Sequence, residues 1–277
     1  KAAYLKEGLP WSARDFTPRQ PINEGDNAGP ELKLILAEYE NLKESNPVEY
    51  LNPQEREKVR NYLASRAALL DRTASLLKSK KGLFFNRDWS QGAVLNFNEL
   101  APMKALVKDL CLRAELRSFE GSTEAALGDL SAAADLAVRA NSDQVLISSL
   151  VSSACRSLVC RSARLIAGRS LQNSLLLKSL ERTLRPMEAD MEYEGIVRSE
   201  AYTHLWALRN FKRIGGLGGY MLTGQGEAPP PDPSPFADKT DVSGVAERSM
   251  AVKSFEFWTE VARQSKKRPD DPIYLFD

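Results

Sequence analysis

Hydrophobic residues recur along most of this chain at the three- and four-residue spacing of an amphipathic helix. The clearest stripe follows Asn52 and Pro53, which are typical of a helix cap and a first helical position. Its members are Val59, Tyr62, Leu63, Ala67, Leu70, Thr73, Ala74 and Leu77. The stripe predicts one continuous helical face that ends at the lysines before Gly82.

Similar stripes predict further helices along the chain. We expect them at 30–45, 99–119, 122–140, 142–167 and 171–184, then from Pro186 to about Arg213 and from Ser243 to before Pro269. Serines at 148, 149, 152, 153 and 157 give the predicted helix at 142–167 a surface of small side chains. Such a surface allows another helix to approach closely.

Three segments break the helical period. Residues 1–29 contain several prolines and glycines and predict an extended arm. The arm is expected to dock through Tyr4, Leu5, Trp11, Phe16 and Ile22. Residues 83–98 are rich in aromatics and predict a loop, with a small hairpin as the alternative. Residues 224–240 contain Pro229-Pro230-Pro231 and predict an exposed Pro-rich loop.

The segment from Leu106 to Ala137 predicts two antiparallel helices joined by a turn at Glu120-Gly121. Large and small residues alternate in it at fixed offsets, namely Leu110, Ala114, Gly121, Ala126, Leu130 and Ala133. These positions resemble the signature of a tetratricopeptide (TPR) repeat. The resemblance implies stacked helix pairs with a concave face that binds an extended peptide or a partner helix.

The fold class expected from these observations is all-α. We predict an irregular TPR-like α-α superhelix of about seven or eight helices, formed by residues 30–277 as a single domain. We expect the array to be irregular, because the position one repeat length after Gly121 is Cys155, which lies inside a predicted helix instead of at a turn. Cys111 and Glu115 stand where carboxylate-clamping TPR proteins offer Lys and Asn, so that mode of recognition is not expected.

The beginning of the chain shows a second resemblance. Leu9-Pro10-Trp11-Ser12, Glu24-Gly25-Asp26-Asn27-Ala28 and the run from Glu124 to Ala137 are similar to segments of uncharacterised exported helical proteins of bacteria. The resemblance implies no particular activity. It implies an exported or periplasmic location, with a signal or anchor that once preceded Lys1.

Composition and charge limit the classes of partner that the sequence predicts. The chain has 277 residues, 27% charged and 43% hydrophobic, and a formal net charge of +1, so no global field attracts nucleic acid. The basic runs Lys78–Lys81 and Lys266–Arg268 fall at predicted helix ends, where cations are locally favoured. No membrane span is expected, because arginines interrupt the longest apolar stretch, Val145 to Ile166.

Candidate chemistry is sparse. His204 is the only histidine, and Glu200 lies one helical turn before it. The carboxylates Glu188, Asp190, Glu192 and Glu194 are expected on a solvated helix start. No nucleophile motif, metal motif or phosphate loop occurs, so we predict no catalytic, cofactor or metal residues and no cofactor. A disulfide from Cys111 to Cys155 or Cys160 is left open, but buried free thiols are favoured.

The leading hypothesis is a non-enzymatic protein-binding or scaffold module that acts through its helical grooves on a protein or peptide partner. The aromatics of the 83–97 loop and the segment 229–236 are the expected contact surfaces. One alternative is an enzyme of unrecognised type that uses His204 with Glu200. Another is a structural subunit of a larger assembly, which predicts a contiguous exposed apolar patch.

Overall fold

All regular secondary structure that the computed structural model describes is helical. The structure describes residues 2–15, 23–42, 51, 53–169, 173–188, 193–210 and 242–265. Within these ranges an isolated parallel bridge between Asn27 and Gly82 is the only β pairing. The predicted all-α class is therefore confirmed, and no hairpin forms in the 83–97 loop.

We number the α-helices of the described ranges in the order of the sequence. They are α1 (Ala2–Lys6), α2 (Gly29–Glu40), α3 (Arg56–Ala64), α4 (Ala67–Ser79), α5 (Leu100–Phe119), α6 (Thr123–Arg139), α7 (Leu146–Gly168), α8 (Ser174–Leu184), α9 (Tyr193–Arg209) and α10 (Val242–Ser265). Short 3-10 segments lie at Ala13–Asp15, Glu24–Asp26, Pro53–Glu55, Trp89–Val94 and Arg185–Glu188. No helix in the described ranges is both long and apolar enough to cross a membrane.

Helices α5 and α6 form the helix pair that the spacing of large and small residues predicts. The large and small residues at the repeat-like positions are completely buried, namely Leu110, Ala114, Ala126, Leu130 and Ala133. Gly121 turns the chain between the helices with a φ of +83°, a left-handed conformation that favours glycine. The predicted pair is therefore confirmed at the level of its two helices and their turn.

Helix α7 packs against both members of this pair through its serines. The Ser152 hydroxyl donates to the Ala137 carbonyl at 2.7 Å, and the Ser149 hydroxyl donates to the Asn141 side chain at 2.6 Å. Small side chains bring the helices close, and their hydroxyls find acceptors at the contact. Ser149 and Ser152 are therefore buried against the end of α6 and the turn after it, whereas Ser157 of the same predicted surface is exposed.

The predicted continuous helix before Gly82 is wrong, because the chain breaks between α3 and α4. The hydroxyl of Ser65 donates to the Tyr62 carbonyl at 2.8 Å and accepts from the Arg66 guanidinium at 2.9 Å. The interruption turns Arg66 into the core, where only 1% of the residue is exposed. The cap predicted at Asn52 lies outside the described residues.

A charged cluster at the core explains why Arg66 is buried. Asp109 lies 3.5 Å from the Arg66 Nε and accepts from the hydroxyls of Tyr39 and Tyr62 at 2.6 and 3.0 Å. The Arg66 guanidinium also lies 3.8 Å from the centre of the Tyr62 ring. Burial beside Asp109 raises the pKa of Tyr62 to about 12, so the hydroxyl stays a donor at neutral pH.

The buried apolar residues form two clusters. The large core runs from α2 through α8 and includes Leu106, Leu110, Leu130 and Ile166. The second core comprises Leu9, Ala201, Leu205 and Ala262, with Trp11, Val197, Phe255 and Trp258 packed around it. Because α9 and α10 provide most of the second core, these helices have a small apolar centre of their own.

The N-terminal segment contributes to the second core, although part of it is helical where an extended arm is expected. Leu9 is buried, and the Trp11 ring stacks on Phe255 with ring centres 5.8 Å apart. Leu5 is 45% exposed and does not anchor the arm. The side chain of Tyr4, the residues Phe16 and Ile22, and the segment 224–240 lie outside the described part of the chain.

Candidate functional site

An open cleft lies along one face of α6. We call it the α6 cleft; it has a volume of about 710 Å³. Helices α4, α5, α6 and α8 line it, together with Pro186. Helix α6 packs against both α4 and α8, so its exposed face forms a floor between them.

Small side chains form this floor and leave the space above it empty. Ala125, Gly128, Ser131 and Ala132 follow one another on α6 at helical spacing and line the cleft. A methyl group built on Gly128 meets no atom within 4 Å. The space above the floor is therefore open to a large side chain or to a peptide.

Ion pairs around the buried side chains of Arg113 and Asp129 fix the deeper wall of the cleft. Arg113 of α5 makes two hydrogen bonds to Asp129 at 2.6 and 3.0 Å and a third to Asp71 at 2.7 Å. Arg117 adds a bond to Asp129 at 2.8 Å. Burial raises the pKa of Asp129 although the Arg113 guanidinium opposes that shift. These charges satisfy one another and hold α4, α5 and α6 in position.

The rim of the cleft carries positive charge that is not paired within the structure. Lys78 of α4 and Arg182 of α8 are exposed and line the cleft. Neither makes a hydrogen bond or ion pair with another described residue, whereas the remaining acidic residue of the lining, Asp135, is paired with Arg139 at 2.6 Å. The charged side chains of the lining that have no partner among the described residues, Lys78 and Arg182, are therefore both positive.

The two residues of the enzyme hypothesis have different neighbours. The Glu200 carboxylate accepts a hydrogen bond from the Leu146 amide at 2.9 Å and lines a separate pocket. The His204 ring is half-buried and packs against Trp258 of α10, with ring centres 6.3 Å apart. Burial lowers the pKa of His204 and raises the pKa of Glu200.

The other candidate residues are dispersed. Glu188 and Glu194 are exposed, and Asp190 and Glu192 lie outside the described residues. In the described ranges no group of His, Cys, Asp and Glu side chains is arranged to hold a metal ion.

The three cysteines are free thiols. Cys111 and Cys155 are buried and Cys160 is exposed, so the disulfide left open above does not form. Burial raises the pKa of both buried thiols to about 12, which keeps them protonated at neutral pH.

The aromatics of the 83–97 loop were expected to form an exposed contact surface, but they are buried or half-buried. Phe85 is buried, and Phe84, Trp89 and Phe97 are half-buried. The Arg87 guanidinium draws the loop inward, since it lies 4.3 Å from the Phe97 ring centre and 2.6 Å from the buried Asp143. The second expected surface, residues 229–236, lies outside the described part of the chain.

Sequence reasoning missed the α6 cleft because its residues are far apart along the chain. In the sequence, Lys78 is an ordinary lysine at a predicted helix end, and Arg182 is one of several cations of a predicted amphipathic helix. The only local signal is the small-residue face of α6, which lies next to the repeat-like positions Ala126, Leu130 and Ala133 of the same helix.

Comparison of the chain with protein-family models, with curated proteins and with solved structures found no match. The structure alone therefore defines the class of protein. In the described residues it is an all-helical protein with an open cleft that has a small-residue floor and a positive rim.

Proposed function

We propose that this protein is a non-enzymatic binding or scaffold module, built as an irregular TPR-like helical array. Its partner is a protein that offers an extended, acidic peptide segment to the α6 cleft. The observation that carries the proposal is the open cleft whose rim cations, Lys78 and Arg182, have no partner among the described residues.

The shape of the cleft supports an extended ligand. The floor consists of residues with no side chain or a short one, so a peptide backbone can lie close to α6. The concave face between stacked helices is the surface that helical-repeat proteins use for peptides and partner helices. A compact ligand would leave much of the volume of about 710 Å³ unfilled.

The charge distribution supports an acidic ligand. The deep cation, Arg113, already has three hydrogen bonds to Asp71 and Asp129, so a partner gains little from it. The rim cations remain for carboxylates spaced along the ligand. Charges at a rim favour association and partner choice more than affinity.

Charge reversal tests this proposal. Short peptides selected from a random display library on the unaltered protein serve as probes, and their affinities are measured by fluorescence anisotropy. The double variant Lys78→Glu with Arg182→Glu is expected to weaken binding by about tenfold or more, because like charges then face each other. The selected peptides are also expected to be enriched in Asp and Glu.

The control for charge reversal is Lys58→Glu with Arg164→Glu, which changes the net charge equally at exposed positions outside the cleft. Equal binding to both double variants, or peptides without acidic enrichment, would overturn the proposal.

A further inference from the structure

A second, smaller pocket lies at the junction of the 83–97 loop, the start of α7 and α9. We call it the Glu200 pocket; its volume is about 270 Å³. The loop contributes Trp89, Leu95 and Phe97, and α7 contributes its first turn. The walls are therefore mostly apolar, and the size suits one ring or one branched aliphatic group.

One charged side chain lines this pocket. Glu200 is half-buried, and its carboxylate accepts a single hydrogen bond among the described residues, from the Leu146 amide at 2.9 Å. An ionised carboxylate has about four acceptor positions. Glu200 therefore retains acceptor capacity, and no lysine, arginine or histidine is part of the lining.

We propose that the Glu200 pocket binds a small organic ammonium ion, an amine with an aromatic or branched aliphatic body. The ammonium group donates to the carboxylate of Glu200, and the body packs against Trp89, Leu95 and Phe97. An indole ring in the wall adds cation–π attraction. This proposal is independent of the peptide-binding proposal, because the two sites share no lining residue.

The surroundings of Glu200 favour a ligand with a positive charge. The carboxylate is half-buried beside apolar side chains, which disfavours its negative charge and raises its pKa. A cation relieves that cost and adds a charge-assisted hydrogen bond. A neutral alcohol of the same shape lacks the charge, and an anion meets a carboxylate with no cation to receive it.

Apolar side chains extend the pocket outward. Leu146, Ile147 and Leu150 of the first turns of α7 are 48%, 50% and 57% exposed, and all three line the pocket. They form a local apolar patch at the mouth of the pocket. Their position around a single carboxylate fits an amphiphilic cation whose apolar end reaches the rim.

The test uses three matched probes on the full chain: 2-phenylethylamine, 2-phenylethanol and phenylacetate. Isothermal titration calorimetry is expected to show binding of the amine, with the alcohol weaker by at least about tenfold, since a hydrogen bond to a charged group is the stronger one. Phenylacetate is expected not to bind. Equal affinity of amine and alcohol, or no binding of the amine at millimolar concentration, would overturn the proposal.

The variant Glu200→Gln separates the carboxylate from the shape of the pocket. Glutamine keeps the side-chain size and the acceptor for the Leu146 amide, so we expect the amine to lose at least about tenfold in affinity and the alcohol to lose little. The control is Glu194→Gln, an exposed carboxylate on the same helix outside the pocket. Unchanged amine binding by Glu200→Gln contradicts the assignment, and the probe series on the unaltered chain decides if that variant does not fold.

Discussion

The large core and the second core hold their helices by different means. In the large core, leucines from several helices are completely buried, and buried charge pairs such as Asp109 with Arg66 lie between them. In the second core few residues are buried, and aromatic rings such as Trp11 and Trp258 cover them.

The connection of α9 to the rest of the molecule is correspondingly local. The Tyr202 hydroxyl donates to the Trp89 carbonyl at 2.8 Å, and the Trp206 indole donates to the Ser90 carbonyl at 2.7 Å. Because α9 meets the larger part of the molecule mainly through the 83–97 loop and the start of α7, we expect it to open at a lower free energy than α5, α6 and α7. The α6 cleft lies in the region that we expect to be more stable, and the Glu200 pocket lies between the two regions.

The largest effect is expected from Asp109→Ala. The substitution leaves the Arg66 guanidinium buried without its carboxylate and removes the acceptor of two tyrosine hydroxyls. Breaking a buried pair in this way costs about 3–5 kcal/mol of the free energy of unfolding. Urea unfolding followed by circular dichroism measures it. Glu31→Ala, at an exposed position on α2, is the control, and a comparable loss there would contradict this explanation.

Leucine truncations compare the two cores directly. Leu130→Ala leaves a cavity in the large core and is expected near the upper end of the range of about 2–5 kcal/mol, whereas Leu205→Ala is expected near the lower end. The second core is small enough to relax around the missing atoms. Hydrogen exchange should show faster exchange in α9 and α10 for Leu205→Ala. Equal acceleration in α5 and α6 would show that the two cores unfold together.

Gly92→Ala tests the contact between α9 and the 83–97 loop. Gly92 has a φ of +54°, and a Cβ there lies 2.0 Å from the Trp206 ring. The left-handed conformation alone costs alanine about 1–2 kcal/mol, and the rigid indole adds to it. Tryptophan fluorescence during urea unfolding should show early release of α9. Gly25→Ala has open space around it, and its free energy of unfolding should change less.

The smallest effect is expected from the titration of His204. Burial holds its pKa below the ordinary value of 6.5, so the unfolded chain binds more protons below that pH. Stability present above pH 6.5 is therefore lost as the pH falls through the folded pKa. Urea unfolding from about pH 8 to about pH 5 should show this loss, and His204→Gln should remove it. Identical pH profiles for both proteins would contradict it.

Sequence reasoning succeeds for the large core because its signals are local. The spacing of Leu110, Ala114, Ala126 and Leu130 predicts the α5–α6 pair, and each of these residues is buried as expected. The break at Ser65 and Arg66 could not be predicted in the same way, because its cause is a carboxylate on α5. An apolar stripe shows which face of a helix is buried, but not which distant charge an arginine in it meets.

The same limit applies to the candidate sites. The aromatics of the 83–97 loop suggested an exposed contact surface, yet the contacts of Arg87 with Asp143 and Phe97 fold the loop inward. The α6 cleft depends on Lys78 and Arg182, which lie on separate helices far apart in the sequence. Such sites follow from packing between helices, which the pattern of a single chain does not encode locally.

The most direct test of the binding proposal fills the α6 cleft. Gly128→Trp places an indole where a Cβ meets no atom within 4 Å, so the variant should fold, and Gly168→Trp does the same at an exposed helix end outside the cleft. With the peptides selected on the unaltered protein, we expect Gly128→Trp to weaken binding by at least about tenfold, because the ring excludes the ligand. Gly168→Trp should leave binding unchanged. Equal affinity of both folded variants for the peptides would contradict the proposal that this cleft is the binding surface.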